Sequence, residues 1–308
     1  MRQVRLQPVV LSLDRQEGRY LDALGFYRYL RADQLTSLFY APSSLTLVKT
    51  QLKILTDKGY VQIVLKRTAT GKLVPIEPYR YSVAGPGMRY LTSLGHEPGR
   101  YFRPYKEAVR SESDLWHLEG VNDFSIALEI LSRTDNRVRI LERCHDLELR
   151  KNPCVFAFKV KNVLGQVVEK AGSYAPDLWY HVTLSRSQGL KPLHYNLLLE
   201  QDQATQGEKR IRLKVRSALL CFKSGAFKKR FSKHPVIITF VTSGGENRVS
   251  LIRSWIRREL VSSREPGYLA NMFLCYARPQ NLDPRMFFAL VWLQPFGKKQ
   301  CVPLFNLS

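Results

Sequence analysis

Three carboxylates stand at the ends of two strongly apolar segments of the sequence. Asp177 follows Pro176 at the start of LWYHVTL, and Glu200 and Asp202 close the segment HYNLLLEQD. Side chains two apart on a strand lie on the same side, so Glu200 and Asp202 project together if the strand continues to Asp202. Like charges this close must take up protons or share a cation, and carboxylate oxygens suit Mg²⁺ or Mn²⁺. If the two strands are neighbours, the pattern predicts a metal site.

Two further groups could complete this site. Glu119 and Asp123 are four residues apart on a predicted helix and share a face, so either could add a ligand, and Asp123 is our candidate. Lys214 lies at the margin of the apolar stripe on the helix after Glu200, from which its ammonium could reach the carboxylates. A simpler interpretation stays open, in which Asp177 makes a turn and Asp202 caps the following helix.

The composition indicates an anionic partner. The chain has 308 residues, a formal net charge of +22 and a pI near 10.0, which favours nucleic acid. No apolar run approaches the ~18 residues of a membrane-spanning helix, and the N-terminus lacks the apolar centre of a signal peptide. The five cysteines show no CxxC spacing, as expected in a reducing compartment. We therefore expect a cytoplasmic protein with no membrane partner.

The elements that must position these residues fall into two predicted domains, separated near residues 96–113. Residues 1–100 are predicted to form three helices followed by a basic hairpin, which is the winged-helix layout. In that layout the third helix, SSLTLVKTQLKILTDKG, enters the major groove of double-stranded DNA and the hairpin tip contacts phosphate. An ordinary amphipathic helix with a solvated polar face is the alternative. The candidate DNA-binding residues are Thr46, Lys49, Thr50, Lys53, Arg67 and Lys72.

Residues 110–308 alternate between strand and helix patterns and predict an α/β domain. HYNLLLE is almost continuously apolar, as expected of a central strand buried on both faces. The order of strand, helix, strand and helix after it predicts a mixed sheet with at least one parallel crossover and helices on both faces. MFLCYA and MFFALVWLQPF are predicted to be edge strands with a short helix between them.

The order of Pro-Asp, an apolar strand and Glu-x-acid resembles the core of PD-(D/E)xK nucleases, which have a restriction-endonuclease-like fold. In that family the acids hold Mg²⁺ or Mn²⁺, and a lysine stabilises the charge of the transition state. This chain has Asp202 where the motif has lysine. The resemblance therefore implies catalysis by Asp177, Glu200 and Asp202 with a substitute cation, for which Lys214 or Lys209 would serve.

Taken together, the chain is identified as a member of the replication-relaxation family of plasmid replication and mobilisation. LKILTDKGYV, YLTSLGH, HLEGVNDFSIAL, APDLWYHV, LLLEQDQATQGEKRIRLKVRSAL and PVIITFVTSGGENRVSLI carry the resemblance. It implies a DNA-binding protein that acts as a metal-dependent nicking relaxase or nuclease, with replication or mobilisation proteins as further partners. The alternative is a non-catalytic regulator or assembly factor with a degenerate core. The family's characteristic positions are His117, Asp123, Asp177, Glu200, Asp202 and Thr205.

The histidines do not point to a second metal site by their spacing. None of the six forms a His-x-His pair, so the metal site of rolling-circle tyrosine nucleases is absent. His117 on a helix and His181 on a strand are interpreted as structural.

Overall fold

A computed structural model of the chain describes residues 15–96, 102–161, 163–186, 190–265, 267–278, 283–296 and 301–305. The chain divides into two compact units, one ending at Arg110 and the other starting at Ser111. Residues 97–101 of the predicted domain boundary lie outside the described residues. Within the described ranges, no helix combines the length and the hydropathy that a bilayer crossing requires.

Over residues 15–96 and 102–110, the first unit contains five helices, a 3₁₀ turn and two small sheets. The helices are α1 (Arg15–Tyr27), α2 (Ala32–Phe39), α3 (Leu45–Asp57), α4 (Gly85–Ser93) and α5 (Pro104–Glu107), with the 3₁₀ turn at Pro42–Ser44. The strands are β1 (Leu30–Arg31), β2 (Val61–Ile63), β3 (Leu65–Arg67), β4 (Leu73–Pro75), β5 (Arg80–Val83) and β6 (Val109–Arg110). One sheet has the order β1-β5-β2, and the other has the order β4-β3-β6.

Helix α3 follows from the apolar spacing that predicts it. Val48, Leu52 and Leu55 are fully buried on one face, and the helix is followed by Gly59 at a φ of +74°, a conformation that glycine adopts without strain. The hairpin after it differs from the prediction. The sequence predicts YVQIVLKR and PYRYSVA as the strands of the hairpin, joined by TATGKLVPIE. Two short strands, β2 and β3, occupy the first of these segments, and β3 pairs with β4, which lies in the joining segment.

The second unit is built on a seven-stranded sheet. Its helices are α6 (Glu112–Thr134), α7 (Asp146–Lys151), α8 (Glu208–Lys223), α9 (Ala226–Arg230) and α10 (Gly245–Ser262), with 3₁₀ turns at Gly267–Met272 and Pro284–Phe287. Its strands are β7 (Val138–His145), β8 (Cys154–Lys161), β9 (Val167–Tyr174), β10 (Leu178–Leu184), β11 (Leu193–Asp202), β12 (Val236–Thr242), β13 (Phe273–Ala277), β14 (Trp292–Leu293) and β15 (Cys301–Val302). The sheet order is β15-β14-β13-β12-β11-β10-β7, and β8 pairs with β9 in a separate hairpin.

Strand β11 lies inside the sheet and carries both the core and the acids. It runs antiparallel to β10 and parallel to β12, and α8 makes the crossover between the parallel pair. On one face Leu198 joins the core formed by α8 and α10. On the other face α6 approaches so closely that a Cβ at Gly120 would lie 2.5 Å from the Gln201 side chain. The mixed sheet predicted from the sequence is therefore confirmed.

The C-terminal segment departs from the prediction of edge strands. β13 lies between β12 and β14, inside the sheet. The segment MFFALVWLQPF contains the second half of a 3₁₀ turn and only the two-residue β14. Its bulky side chains contribute to the core, with Phe287 and Trp292 both fully buried and Phe287 packed against Phe124 at 5.3 Å between ring centroids.

The close packing of α4 gives a test of the first unit. A Cβ at Gly87 would overlap the Tyr60 carbonyl oxygen and lie 2.8 Å from Val83 Cγ1, and the backbone oxygen cannot move aside. We predict that Gly87→Ala lowers the free energy of unfolding by about 1–3 kcal/mol, the usual cost of overpacking. Gly85→Ala in the same helix is the matched control, since its Cβ would meet only Arg89 Nη1 at 3.8 Å. Urea denaturation measures both, and equal stability of the two variants would contradict this packing.

Candidate functional site

Backbone pairing between β10 and β11 brings Asp177 beside Glu200. The Asp177 N–H donates to the Leu199 carbonyl at 2.9 Å, which extends the ladder by one residue beyond β10. The Asp177 carboxylate accepts the Gln201 N–H at 2.9 Å, so the backbone of β11 orients it. Both acids are buried, with 5% and 1% of their surface exposed. The sheet thus gathers two carboxylates at the end of β11.

Lys214 joins these two acids from α8. Its Nζ lies 2.5 Å from Glu200 Oε2 and 3.7 Å from Asp177 Oδ2. The helix is fixed because Ile211 and Val215 are buried in the core on either side of Lys214 along the chain. Burial works to lower the pKa of Lys214, but Asp177 and Glu200 outweigh it and raise that pKa above its ordinary value. The ammonium therefore stays charged and is shared by both acids.

The Glu200 carboxylate is poorly satisfied for a buried group. Its Oε1 accepts no well-formed hydrogen bond within the described part of the chain, although the Tyr174 hydroxyl lies beside the carboxylate. Burial raises the pKa of Glu200, the ammonium of Lys214 only partly offsets this, and the nearby Asp177 adds to the rise. The charged form of Glu200 is therefore short of counter-charge.

Asp177 has the opposite balance. Its Oδ1 lies 3.2 Å from His117 Nε2 and 3.3 Å from Arg150 Nη2. Burial alone would raise the pKa of Asp177, but Lys214, His117 and Arg150 together hold it below its ordinary value. The two acids thus have shifts of opposite sign, a pattern often seen in pairs with different roles at one site.

Asp202 does not join this pair, although it lies on the same face of β11 as Glu200. Arg248, at the start of α10, binds it through two hydrogen bonds, Nε to Oδ2 at 2.8 Å and Nη2 to Oδ1 at 3.0 Å. The Thr242 hydroxyl and the Ala204 N–H also donate to Oδ2, at 2.8 and 3.0 Å. Although burial alone would raise the pKa of Asp202, the Arg248 and Thr242 hydrogen bonds lower it overall. Its oxygens therefore hold β11, β12 and α10 together.

The other predicted site residues of the second unit have different surroundings. Asp123 forms an ion pair with Arg278 at 3.1 Å, and Glu119 is buried on α6. Lys209 and Thr205 are exposed. Among the described residues, the one group of three potential metal ligands with its donor atoms within 4.8 Å is made of histidines, so the predicted acids do not form such a group.

The candidate DNA-binding residues of the first unit are all on its surface. Thr46, Lys49, Thr50 and Lys53 lie on the exposed face of α3, and Arg67 and Lys72 flank the turn between β3 and β4. Two of the cations have internal partners. Lys53 Nζ lies 2.6 Å from Asp57 Oδ2, and Arg67 Nη1 donates to the Gly71 carbonyl at 3.1 Å. Both partners are exposed, so such contacts are worth little and exchange readily.

Sequence reasoning missed two members of the acidic site and gave no partner for a third. Arg150 lies on α7, a helix too short to show periodicity, and its partner Asp177 is 27 residues away in the sequence. Tyr174 ends β9 only three residues before Asp177 but carries no motif of its own. His117 was noted only through the resemblance and was otherwise interpreted as structural, because an isolated histidine on a helix gives no sign of a distant partner.

Comparison with known protein families gives one finding. The model of the family described as replication-relaxation matches residues 21–237, which is more than half of the chain. The match includes β10, β11 and α8, and thus Asp177, Glu200 and Lys214. No curated protein and no solved structure gave a significant match.

The shared ammonium gives a prediction about stability and pH. Lys214→Met leaves Asp177 and Glu200 buried with less positive charge, and breaking such a pair typically costs about 3–5 kcal/mol. The pKa of Glu200, already raised above 4.5 in the folded state, should rise further. The folded variant then holds a proton that the unfolded chain releases, so its stability is retained at low pH and lost as the pH rises through the folded pKa.

We therefore expect the deficit of Lys214→Met relative to the native protein to be larger at pH 8 than at pH 5. Denaturant unfolding at the two pH values measures it. Lys209→Met, an exposed lysine of the same helix, is the matched control and should unfold like the native protein at both. A deficit that does not change with pH would show that Lys214 does not control the charge of Glu200.

Proposed function

Because the chain belongs to the replication-relaxation family, we propose that it binds duplex DNA and nicks one strand during plasmid replication or mobilisation. The second unit would carry the chemistry, at Asp177, Glu200 and Lys214. The first unit would bind the duplex in the manner of a winged helix. The main support for this proposal is that the Lys214 ammonium lies 2.5 Å from Glu200 and 3.7 Å from Asp177. It does so although Asp202 stands where the nuclease motif has lysine.

Lys214 supplies what the sequence motif lacks. A nuclease of the PD-(D/E)xK type needs a cation at the phosphate as negative charge builds up on it. Lys214 carries this cation on a helix instead of on the strand, and 21% of its side chain remains accessible to a substrate. Arg150, half exposed and in contact with Asp177, is a second cation that could bind a phosphate oxygen.

The two carboxylates fit a divalent ion. Glu200 is buried, its Oε1 accepts no well-formed hydrogen bond among the described residues, and it competes with Asp177 for one ammonium. A hard cation bound by Asp177 and Glu200 would relieve this deficit, and Mg²⁺ or Mn²⁺ suits such oxygen ligands. When bound, the ion would activate water or stabilise the leaving oxygen. Asp202 and Asp123 have arginine partners and are not included in this set.

The order of elements in the first unit supports the proposed binding mode. The elements follow in the order α1, β1, α2 and α3, and a hairpin comes next. The base strands of this hairpin, β2 and β5, pair with each other, and β5 also pairs with β1. The exposed face of α3 bears Lys49 and Thr50, and the turn between β3 and β4 bears Lys72. A helix face for the major groove and a basic turn for phosphate are what a winged helix presents to DNA.

A non-catalytic regulator is the second candidate, and a specific observation favours it. Asp202, the acid at the third motif position, is already bound by Arg248, Thr242 and Ala204, and Lys214, His117 and Arg150 already lie around Asp177. A degenerate core would retain such ion pairs for stability alone. Both candidates require DNA binding, and they differ in whether the acids act on a phosphodiester bond.

Nicking of a supercoiled plasmid that carries the protein's own replication or transfer region distinguishes the two. With Mg²⁺ or Mn²⁺ the native protein should convert it to the open circle. Glu200→Gln and Lys214→Met should each reduce the rate by roughly 10²–10³-fold, the usual loss when a group that stabilises developing charge is removed. Lys209→Met should nick at the native rate. Circular dichroism at the assay pH verifies that each variant is folded.

If the native protein leaves the plasmid intact both with Mg²⁺ and with Mn²⁺, the non-catalytic candidate is supported. If Glu200→Gln or Lys214→Met nicks as fast as the native protein, the chemistry lies elsewhere in the chain.

Binding of duplex DNA by the first unit is tested separately by its salt dependence. Lys49→Ala should weaken binding uniformly across sequences and reduce the slope of log K against log salt by about 0.9, the value for one lost phosphate contact. Lys170→Ala, an exposed lysine on β9 of the second unit, removes the same charge and should leave the slope unchanged. Fluorescence anisotropy between about 50 and 200 mM salt measures both. Equal slopes for the two variants would exclude α3 as the binding surface.

A further inference from the structure

Three imidazoles meet on the second unit at a distance from the acidic site. His181 lies on β10, His194 on β11 and His234 just before β12. One ring nitrogen of each lies within 4.8 Å of the other two. The closest pair is His181 Nε2 and His194 Nδ1, at 3.1 Å. His194 stands six residues before Glu200 on β11, which is roughly 20 Å along an extended strand.

Strand pairing and one asparagine bring the three rings together. His181 is the cross-strand partner of Asn196, and His194 is two residues from Asn196, so the two histidines are diagonal neighbours on one face. The Asn196 N–H donates to the Pro235 carbonyl at 2.7 Å, and its Nδ2 donates to the His234 carbonyl at 3.0 Å. The segment that carries His234 is therefore fixed on β11, and the cluster is preorganised by backbone contacts.

We propose that His181, His194 and His234 bind a borderline divalent transition-metal ion, for which Zn²⁺ is the representative. Imidazole nitrogens suit Zn²⁺, Cu²⁺, Ni²⁺ and Co²⁺, whereas Mg²⁺ requires oxygen ligands. Zn–N bonds of about 2.0–2.1 Å in tetrahedral geometry separate two ligand nitrogens by roughly 3.3 Å, close to the 3.1 Å between His181 and His194. Three protein ligands leave the fourth position to water or to a ligand from a partner.

Glu142 on β7 is the cross-strand partner of His181 and lies where metal-binding histidines usually have an outer carboxylate contact. Its Oε1 lies 3.9 Å from His181 Nδ1, while His181 Nε2 faces His194. A carboxylate on the far nitrogen selects the tautomer whose Nε2 is free to bind the metal. Glu142 is thus a positioning residue. A metal at this cluster would link β10 and β11 to the segment before β12.

The test is a titration of the metal-free, full-length protein with Zn²⁺ by calorimetry and with Co²⁺ by visible absorption. We expect one ion per chain and the intense bands of tetrahedral Co²⁺. His194→Ala should lower the affinity at least about 100-fold, because even outer contacts are worth 10–100-fold. His96→Ala, which removes an exposed histidine of the first unit, is the matched control and should bind like the native protein. Excess Mg²⁺ should not displace the ion.

Glu142→Gln keeps all three imidazoles and changes a side chain that is 65% exposed, so the fold is preserved. It should weaken Zn²⁺ binding roughly 10–100-fold. Native affinity in His194→Ala, or no tetrahedral Co²⁺ bands in the native protein, would overturn the site, and native affinity in Glu142→Gln would overturn the role of Glu142. Because nicking depends on other residues and on Mg²⁺ or Mn²⁺, its absence leaves this result unaffected.

Discussion

The second unit depends on the burial of two carboxylates against one ammonium. Charges taken out of water are costly, and Lys214 is the cation that Asp177 and Glu200 share at the end of β11. The ammonium reaches them only because the apolar face of α8 is locked into the core, and the acids meet only because Asp177 extends the β10 ladder. Packing, strand register and electrostatics thus converge on one small cluster.

Two kinds of cation, an arginine and a lysine, bind the acids at the end of β11. Their different chemistry suits the acids to two different roles. Arg248 is planar, permanently charged and bound to Asp202 through two parallel hydrogen bonds, which suits a fixed connection. Lys214 is a point charge on a flexible chain, so it could turn with little rearrangement to the phosphate that the proposed nicking requires. The arginine pair is suited to a structural role, whereas the lysine cluster keeps the freedom that the proposed chemistry would need.

Sequence patterns predicted the elements better than the contacts between them. The apolar run before Glu200 and the stripe around Lys214 identified β11 and α8, because strand burial and helical periodicity are local properties. The partner of Asp202 could not be found in this way, since Arg248 is 46 residues away and belongs to a different motif. The cluster around His194 was invisible for the same reason, because its members come from separate elements with no common spacing.

Because Lys214 lies on a helix, the direction of its side chain depends on the number of residues that connect β11 to α8. An α-helix turns about 100° per residue. Inserting or deleting one residue between Asp202 and Lys214 would therefore turn the ammonium away from the two acids or move the apolar stripe of α8 out of the core. Related chains should therefore keep the number of residues in this short loop more strictly than its residue types outside Thr205. The length of this loop is thus as much a property of the site as the identity of Lys214.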